Sequence, residues 1–293
     1  HAWSEALEDL VPAPQAEQAT LDAWAHALRP MDHIAWTALH ETRTEPEKRL
    51  EHYERTVSSV SWSALEETAA HIGTSVRPLA HVAWARVLGI ILGTSNVLLG
   101  DVVSLRGRRA SYATTGGPLL ATLPVCVNAA SQSAVSDHVQ QLHASNLALQ
   151  EHASVPLSYI RQQVHCPRDQ PLFVSLFVLE MDEDHDERPP EHALAWHTPT
   201  DLGVSVEHAL ALEMRITRKG HVRLVLNYLD SAMSSSYAEM LLHMMDTLLG
   251  AYTHDASMPV ARNPPDVPAS LLACPDVRPP THPTYLNVGQ WPA

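Results

Sequence analysis

The sequence predicts an α/β protein in which helices pack on a mixed β-sheet. Three observations lead there. Residues 97–105 and 119–127 are apolar runs rich in β-branched side chains, which suit a packed, pleated surface. Residues 204–216 alternate, with Val204, Val206, His208, Leu210, Leu212, Met214 and Ile216 on one face. A turn at Lys219-Gly220 then returns the chain through Val222, Leu224, Leu226 and Tyr228, the pattern of an antiparallel hairpin with one face on a core. Leu79, Val82, Ala83, Val87 and Ile90 recur at helical spacing just before the first apolar run, so a helix feeds a buried strand and folds back over the sheet.

Taken in order, residues 1–10 begin a helix that Pro12 and Pro14 end, because proline lacks the donor a continuing helix needs. Leu21, Trp24 and Leu28 make one apolar stripe within residues 15–28, and the polar stretch 41–55 reads as a surface crossover. Residues 57–62 read as a strand leading into a helix with a capping box, Ser63 and Glu66, that Gly73 ends. The next helix starts near Ser75, tolerates Pro78 in its first turn and closes at Gly93. Between the two apolar runs lies a basic and then glycine-rich loop with Arg106, Arg108, Arg109, Gly116 and Gly117. Such a loop is either a site wall or ordinary surface.

A helix over 134–152 carries His138, His143 and His152, whose spacings miss the three- or four-residue interval that puts zinc ligands on one helical face. Residues 172–179, apolar at nearly every place, predict an interior strand covered on both faces. The acidic run 182–187 lacks the glycine turn and distal glutamate of a calcium loop and reads as solvated. His208, alone on an apolar face, reads as a core histidine. Residues 234–252 form a final helix whose methionines are core packing by default. Prolines dominate residues 261–293, which predicts a linker or tail.

Bulk composition narrows the chemistry. With 293 residues and 45% hydrophobic content the chain buries a sizeable core without metals or disulfides. A net charge of -14 argues against a nucleic-acid groove, which needs a clustered basic surface. The three cysteines, Cys126, Cys166 and Cys274, lack metal-ligand spacing and suit reduced thiols. No apolar run approaches the roughly 20 residues of a membrane span, so a soluble, cytoplasmic protein is expected, with no membrane partner. There is no G-x-S-x-G elbow, P-loop or dinucleotide fingerprint.

Two blocks carry a resemblance. Gly100-Asp101-Val102-Val103-Ser104, followed by Gly117-Pro118-Leu119-Leu120-Ala121-Thr122-Leu123-Pro124-Val125, resembles the G-x-V-x-S-G-R and V-G-x-F-x-N-T-x-P-x-R pair of nonribosomal peptide synthetase condensation domains. Here Leu105 stands for the usual glycine, Ala121 for the asparagine and Cys126 for the arginine. Pro167-Arg168-Asp169-Gln170-Pro171-Leu172-Phe173-Val174-Ser175-Leu176-Phe177-Val178 is similar to that family's R-x-x-x-N-P-L-F-x-x-L-F strand, and residues 150–160 resemble its H-Q-x-x-P-L-x-x-I turn. The opening His1-Ala2-Trp3-Ser4 resembles the end of the signature H-H-x-x-x-D-[GA]-x-S, with His1 at the aspartate position, so the histidine pair is expected just before the chain begins.

The resemblance implies a chloramphenicol-acetyltransferase-like second lobe, incomplete as a condensation domain. It implies residues 1–54 as a remnant of the first lobe and crossover, 55–260 as the second lobe and 261–293 as a proline-rich tail. The implied reaction joins carrier-bound aminoacyl or peptidyl thioesters by an amide bond, in a setting that includes siderophore synthesis, with phosphopantetheine presented by carrier domains and no cofactor bound directly. Implied partners are carrier and adenylation domains and the missing N-terminal lobe. Ser104, Thr122 and His152 are the implied substrate-channel positions. No residue present is assigned as catalytic, and the chain alone is expected to be inactive. The other expectation is a degenerate, non-catalytic lobe serving as a docking or structural module.

Overall fold

The computed structural model describes residues 14–28, 50–108, 112, 115, 119–150, 152–153, 155–164, 166, 172–173, 175–181, 210–230 and 233–263. The described elements are α1 (Pro14–Ala27), β1 (Leu50–Thr56), α2 (Trp62–Ile72), α3 (Val76–Leu92), β2 (Asn96–Ser104), β3 (Leu120–Asn128), α4 (Val135–Gln150), α5 (Leu157–Gln163), β4 (Ser175–Met181), β5 (Leu210–Ile216), β6 (Val222–Leu229) and α6 (Ser235–His254). The strands form one six-stranded sheet in the order β1-β6-β5-β4-β2-β3. Its β2–β4 and β4–β5 pairs are parallel and the rest antiparallel, so the sheet is mixed.

A first core lies between one sheet face and helices α2, α3, α4 and α6. Alternation decides which strand residues enter it: Leu210, Leu212, Met214 and Ile216 are buried while the residues between them are half-exposed. Helix α3 is buried nearly all round, because it crosses the sheet beneath its neighbours. Trp84 of α3 donates from Nε1 to Ser175 Oγ at 3.0 Å and so ties that helix to β4. Gly73 and Gly93 end α2 and α3 in the left-handed region, at φ 83 and 63, as the sequence predicts.

A second core gathers Leu21, Trp24 and Leu28 of α1 with Ile160, Leu172 and Phe173 against the β2–β3 pair. It draws on Leu98 and Cys126 from one face of that pair and on Val103, Ala121 and Leu123 from the other, so it wraps round the β3 edge of the sheet. Gly100 is its tightest point: a Cβ there would stand 2.4 Å from the Phe173 ring. Close approach of ring to backbone is what this glycine permits.

Two local expectations are corrected. Residues 57–62 are not a strand; the strand is β1, seven residues earlier at its start, pairing antiparallel with β6 from Leu50↔Leu229 to Thr56↔Arg223. The polar stretch 41–55 therefore ends in sheet rather than in crossover, and β1 runs across the division at 54/55. Residues 58 and 59 form a loop held by Asp246 of α6, whose carboxylate accepts from the Ser58 and Ser59 amides and from Arg55 Nε at 3.1 Å. The cap of α2 is Ser61, not Ser63: its hydroxyl accepts from the Ala64 amide at 3.2 Å while its backbone is extended. Strand β4 is interior by position, between β5 and β2, yet Glu180 and Met181 at its end are exposed.

Residues 1–13, the acidic run, His208, Gly116, Gly117 and residues 264–293 lie outside the described residues. No single described helix is long and apolar enough to cross a membrane, and α2 and α3, apolar together, are bent by 101° and packed in the first core.

Candidate functional site

The two apolar runs are hydrogen-bonded neighbours. β2 and β3 pair antiparallel from Asn96↔Asn128 to Ser104↔Leu120, with Val102 opposite Thr122. Ser104 and Thr122 therefore share one face as diagonal neighbours, the face that also carries Leu98, Gly100 and Cys126. Near the β2 carboxyl end this face opens: Val102 and Thr122 are half-buried, and Ser104 and Leu120 are exposed.

Across the sheet the same face turns polar. Register carries it from Val102 to Val178, Glu213, Val225 and Glu54. Glu213 accepts from Asn227 Nδ2 at 2.7 Å, Arg215 reaches Glu180 at 3.1 Å as well as Glu213, and Arg223 Nε meets Glu54 at 2.8 Å. These half-exposed pairs satisfy one another and hold the long side chains against the sheet.

The loop after β2 is organised by an arginine. Arg106 donates from Nη1 to the carbonyls of Tyr112, at 3.2 Å, and Thr115, at 2.6 Å, while its amide donates to Ser104 Oγ at 3.3 Å. Its charge faces backbone dipoles rather than a bare core, the accommodation that a guanidinium beside an apolar strand requires. Leu105 and Tyr112 are buried in the second core beside it. Cys126 is half-buried, and burial pushes its thiol up to about 11, so it is an inert packing group at pH 7.

His152 stands just past α4, and its hydrogen bonds go to α1. Its Nδ1 and Thr20 Oγ1 are 2.9 Å apart, and its carbonyl accepts from Trp24 Nε1 at 3.1 Å. The structure thus brings Ser104 and Thr122 together and joins His152 to α1. His1, Ala2, Trp3 and Ser4 lie outside the described residues. Among the described residues no group of three or more His, Cys, Asp or Glu side chains is placed to hold a metal ion.

Sequence reasoning passed over a polar cluster on the helix side of β2. Asp101 is 4% exposed inside an otherwise apolar strand. Arg77 Nη1 donates to its Oδ1 at 2.5 Å, and His81, wholly buried, places Nε2 3.3 Å from the same oxygen without hydrogen-bond alignment. The His81 ring meets Phe177 edge-on at 4.7 Å. The available signal was the lone carboxylate in the run Val97-Leu98-Leu99-Gly100-Asp101-Val102-Val103, since a buried charge demands a partner.

Known proteins resemble this chain in sequence and in fold. The condensation-domain family profile matches residues 15–264. The chain is 28% identical over 257 residues, 85% of its length, to the ferrichrome siderophore peptide synthetase of Mycosarcoma maydis. It is 25% identical over 251 residues to the nonribosomal peptide synthetase fso1 of Omphalotus olearius. The chain spans only 6% and 5% of the lengths of these relatives. Among solved structures, a holo four-domain nonribosomal peptide synthetase bound to AMP and glycine superposes with a TM-score of 0.66 at 18% identity, over 85% of this chain and 20% of that one. The X-domain from teicoplanin biosynthesis, solved in complex with OxyB, superposes with a TM-score of 0.66 at 16% identity, over 89% of this chain and 58% of that one. These last two likenesses concern the fold. By its family match and its mixed, helix-covered sheet, the chain belongs to the condensation-domain family.

Proposed function

We propose that the chain supplies the second lobe of a condensation domain in a modular peptide synthetase, where it walls the channel in which two carrier-bound thioesters are joined by an amide bond. The observation that carries this reading is the β2–β3 register, which sets Ser104 and Thr122 together on the face that opens at the strand ends. In this reading those two residues line the wall and His152 contributes through its tie to α1. The lobe is residues 55–260 extended at its start to take in the whole of β1, the residues before β1 belong to the first lobe and its crossover, and the proline-rich residues after 260 are linker.

The 293 residues hold no H-H-x-x-x-D-G sequence, so the proton-handling imidazole comes from a separate segment. Phosphopantetheine arms on carrier domains present both reactants, adenylation domains load them, and the assembly works in the cytoplasm. Fixing the reactants face to face supplies much of the acceleration, so a wall without a base still contributes. The similarity to a ferrichrome siderophore peptide synthetase supports a siderophore product.

A second reading has its own observation. Where the family carries a glycine, an asparagine and an arginine, Leu105, Ala121 and Cys126 pack into or against the second core. Apolar packing in place of those polar groups fits a degenerate docking or structural module, and the fold neighbour solved as a complex of the X-domain and OxyB supports it.

The test supplies the chain with two carrier domains bearing aminoacyl thioesters, alone and within a synthetase that also holds an H-H-x-x-x-D-G segment. Amide product is expected only from the second. Product from the chain alone would refute the external imidazole, and none from either would favour the docking module.

A further inference from the structure

The parallel strands β2 and β4 part company at their carboxyl ends. Their ladder runs from Leu99↔Ser175 to Val102↔Val178 and stops, while β2 continues to Ser104 paired with β3 and β4 continues to Met181 paired with β5. The strand that follows β2 in sequence, β3, is its neighbour on one side, and the strand that follows β4, β5, is its neighbour on the other. Beyond that point the two strands no longer pair with each other, and the carboxyl ends of strands are where open α/β sheets accept ligands. The exposed residues at these ends are mixed: Ser104, Leu120 opposite it at 61%, and Glu180 lie on one face, while Met181, at 62%, lies on the other.

One side chain spans the base of this fork. Arg77, in the first turn of α3, donates from Nη1 to the Val102 carbonyl at 3.3 Å and from Nη2 to the Leu179 carbonyl at 3.2 Å. Its bond to Asp101 fixes the guanidinium plane between them. Val102 is the register partner of Thr122 and lies two residues before Ser104, so the strand that Arg77 grips is the strand that carries the wall. A planar fork of donors meets two strands at once; a lysine ammonium, a single point on a flexible stem, does not.

We propose that Arg77 is a positioning residue for the channel wall: its guanidinium sets the opening between the carboxyl ends of β2 and β4, and with it the placement of Ser104 and Thr122. This rests on the reading of that wall given above. Arg77→Lys keeps a cation beside Asp101 and releases the two carbonyls. The opening then widens or closes while both cores stay intact.

The test titrates S-acetylpantetheine into the 293-residue chain and follows the amide resonances of Ser104 and Thr122 and the methyl resonances of Val102 and Val178. Saturable shifts are expected in the wild-type chain, with affinity about tenfold weaker in Arg77→Lys. Arg86→Lys is the control, because Arg86 also bridges backbone carbonyls, those of Ala129 and Ala261, at the other end of the sheet. It is expected to lower thermal stability about as much as Arg77→Lys and to leave probe affinity unchanged. If Arg77→Lys does not fold, Arg77→Met combined with Asp101→Leu replaces the ion pair by apolar groups of similar size and is expected to show the same loss. Wild-type affinity in the folded Arg77 variant overturns the positioning role alone. Absence of any shift at Ser104 and Thr122 in the wild-type chain overturns the wall and Arg77's part in it together.

Discussion

Replacing Trp24 by alanine is expected to lower the unfolding free energy by about 3–5 kcal/mol, the range for removing a large aromatic from a packed interior. Trp24 is fully buried in the second core, among Leu21, Leu28, Ile160 and Phe173. Its indole also satisfies the His152 carbonyl, so truncation leaves both a cavity and an unpaired acceptor. The loss should be unequal across the molecule. Amides of α1 and α5 are expected to exchange hydrogen much faster, while those of β5 and β6 in the first core keep their protection. Urea unfolding and hydrogen exchange by mass spectrometry measure the two effects. An unchanged urea midpoint would mean that α1 does not share the second core.

Asp246→Asn carries the second large effect, about 3 kcal/mol at pH 7, because one carboxylate holds the whole β1–α2 loop. Its oxygens accept from the Ser58 amide and hydroxyl, the Ser59 amide and Arg55 Nε, and an asparagine oxygen replaces only part of that set. Burial alone would raise the Asp246 carboxyl; the hydrogen bonds from Ser59, Arg55 and Ser58 outweigh it and hold the group below the usual carboxylate range. A carboxyl lowered in the folded state stabilises above its unfolded value, about 3.9, and that contribution is lost as the pH falls through the folded value. The wild-type and Asp246→Asn midpoints in urea should therefore differ most near pH 7 and converge as the pH drops below 4. A gap that stays constant into acid would show that Asp246 acts by shape and not by charge.

The legible parts of the fold were those whose local pattern agrees with their packing. β2 and β3 are β-branched runs that contribute to both cores, and β5 and β6 alternate because only one face meets the helices. β1 gave no such signal. Its sequence, Leu50-Glu51-His52-Tyr53-Glu54-Arg55-Thr56, is polar because it is an edge strand with most side chains in solvent, and charge is how such an edge avoids further pairing. The apolar residues Val57 and Val60 after it drew the strand assignment into what is a loop.

The shared face of the candidate residues Ser104 and Thr122 was legible to the same extent. A period of two places Ser104 and Thr122 on one face once the two runs pair, and the sequence contained both runs. The partners of Arg77, Arg106 and Asp246 were not legible, since they lie far along the chain or are backbone carbonyls that no residue type announces. A charged residue on a helix reads as solvent-facing until the fold shows what covers it. His152 shows the reverse case: a motif position whose side chain is occupied in joining two helical segments.

The measurement that bears most directly on the channel wall is condensation turnover in a synthetase containing these residues with Ser104→Trp and Thr122→Trp. Filling the half-open face beside Val102 with two indoles is expected to cut turnover at least a hundredfold while adenylation and carrier loading proceed as before. Turnover at the wild-type rate in that variant would contradict the account, because reactants that pass two indoles unhindered do not meet along β2 and β3.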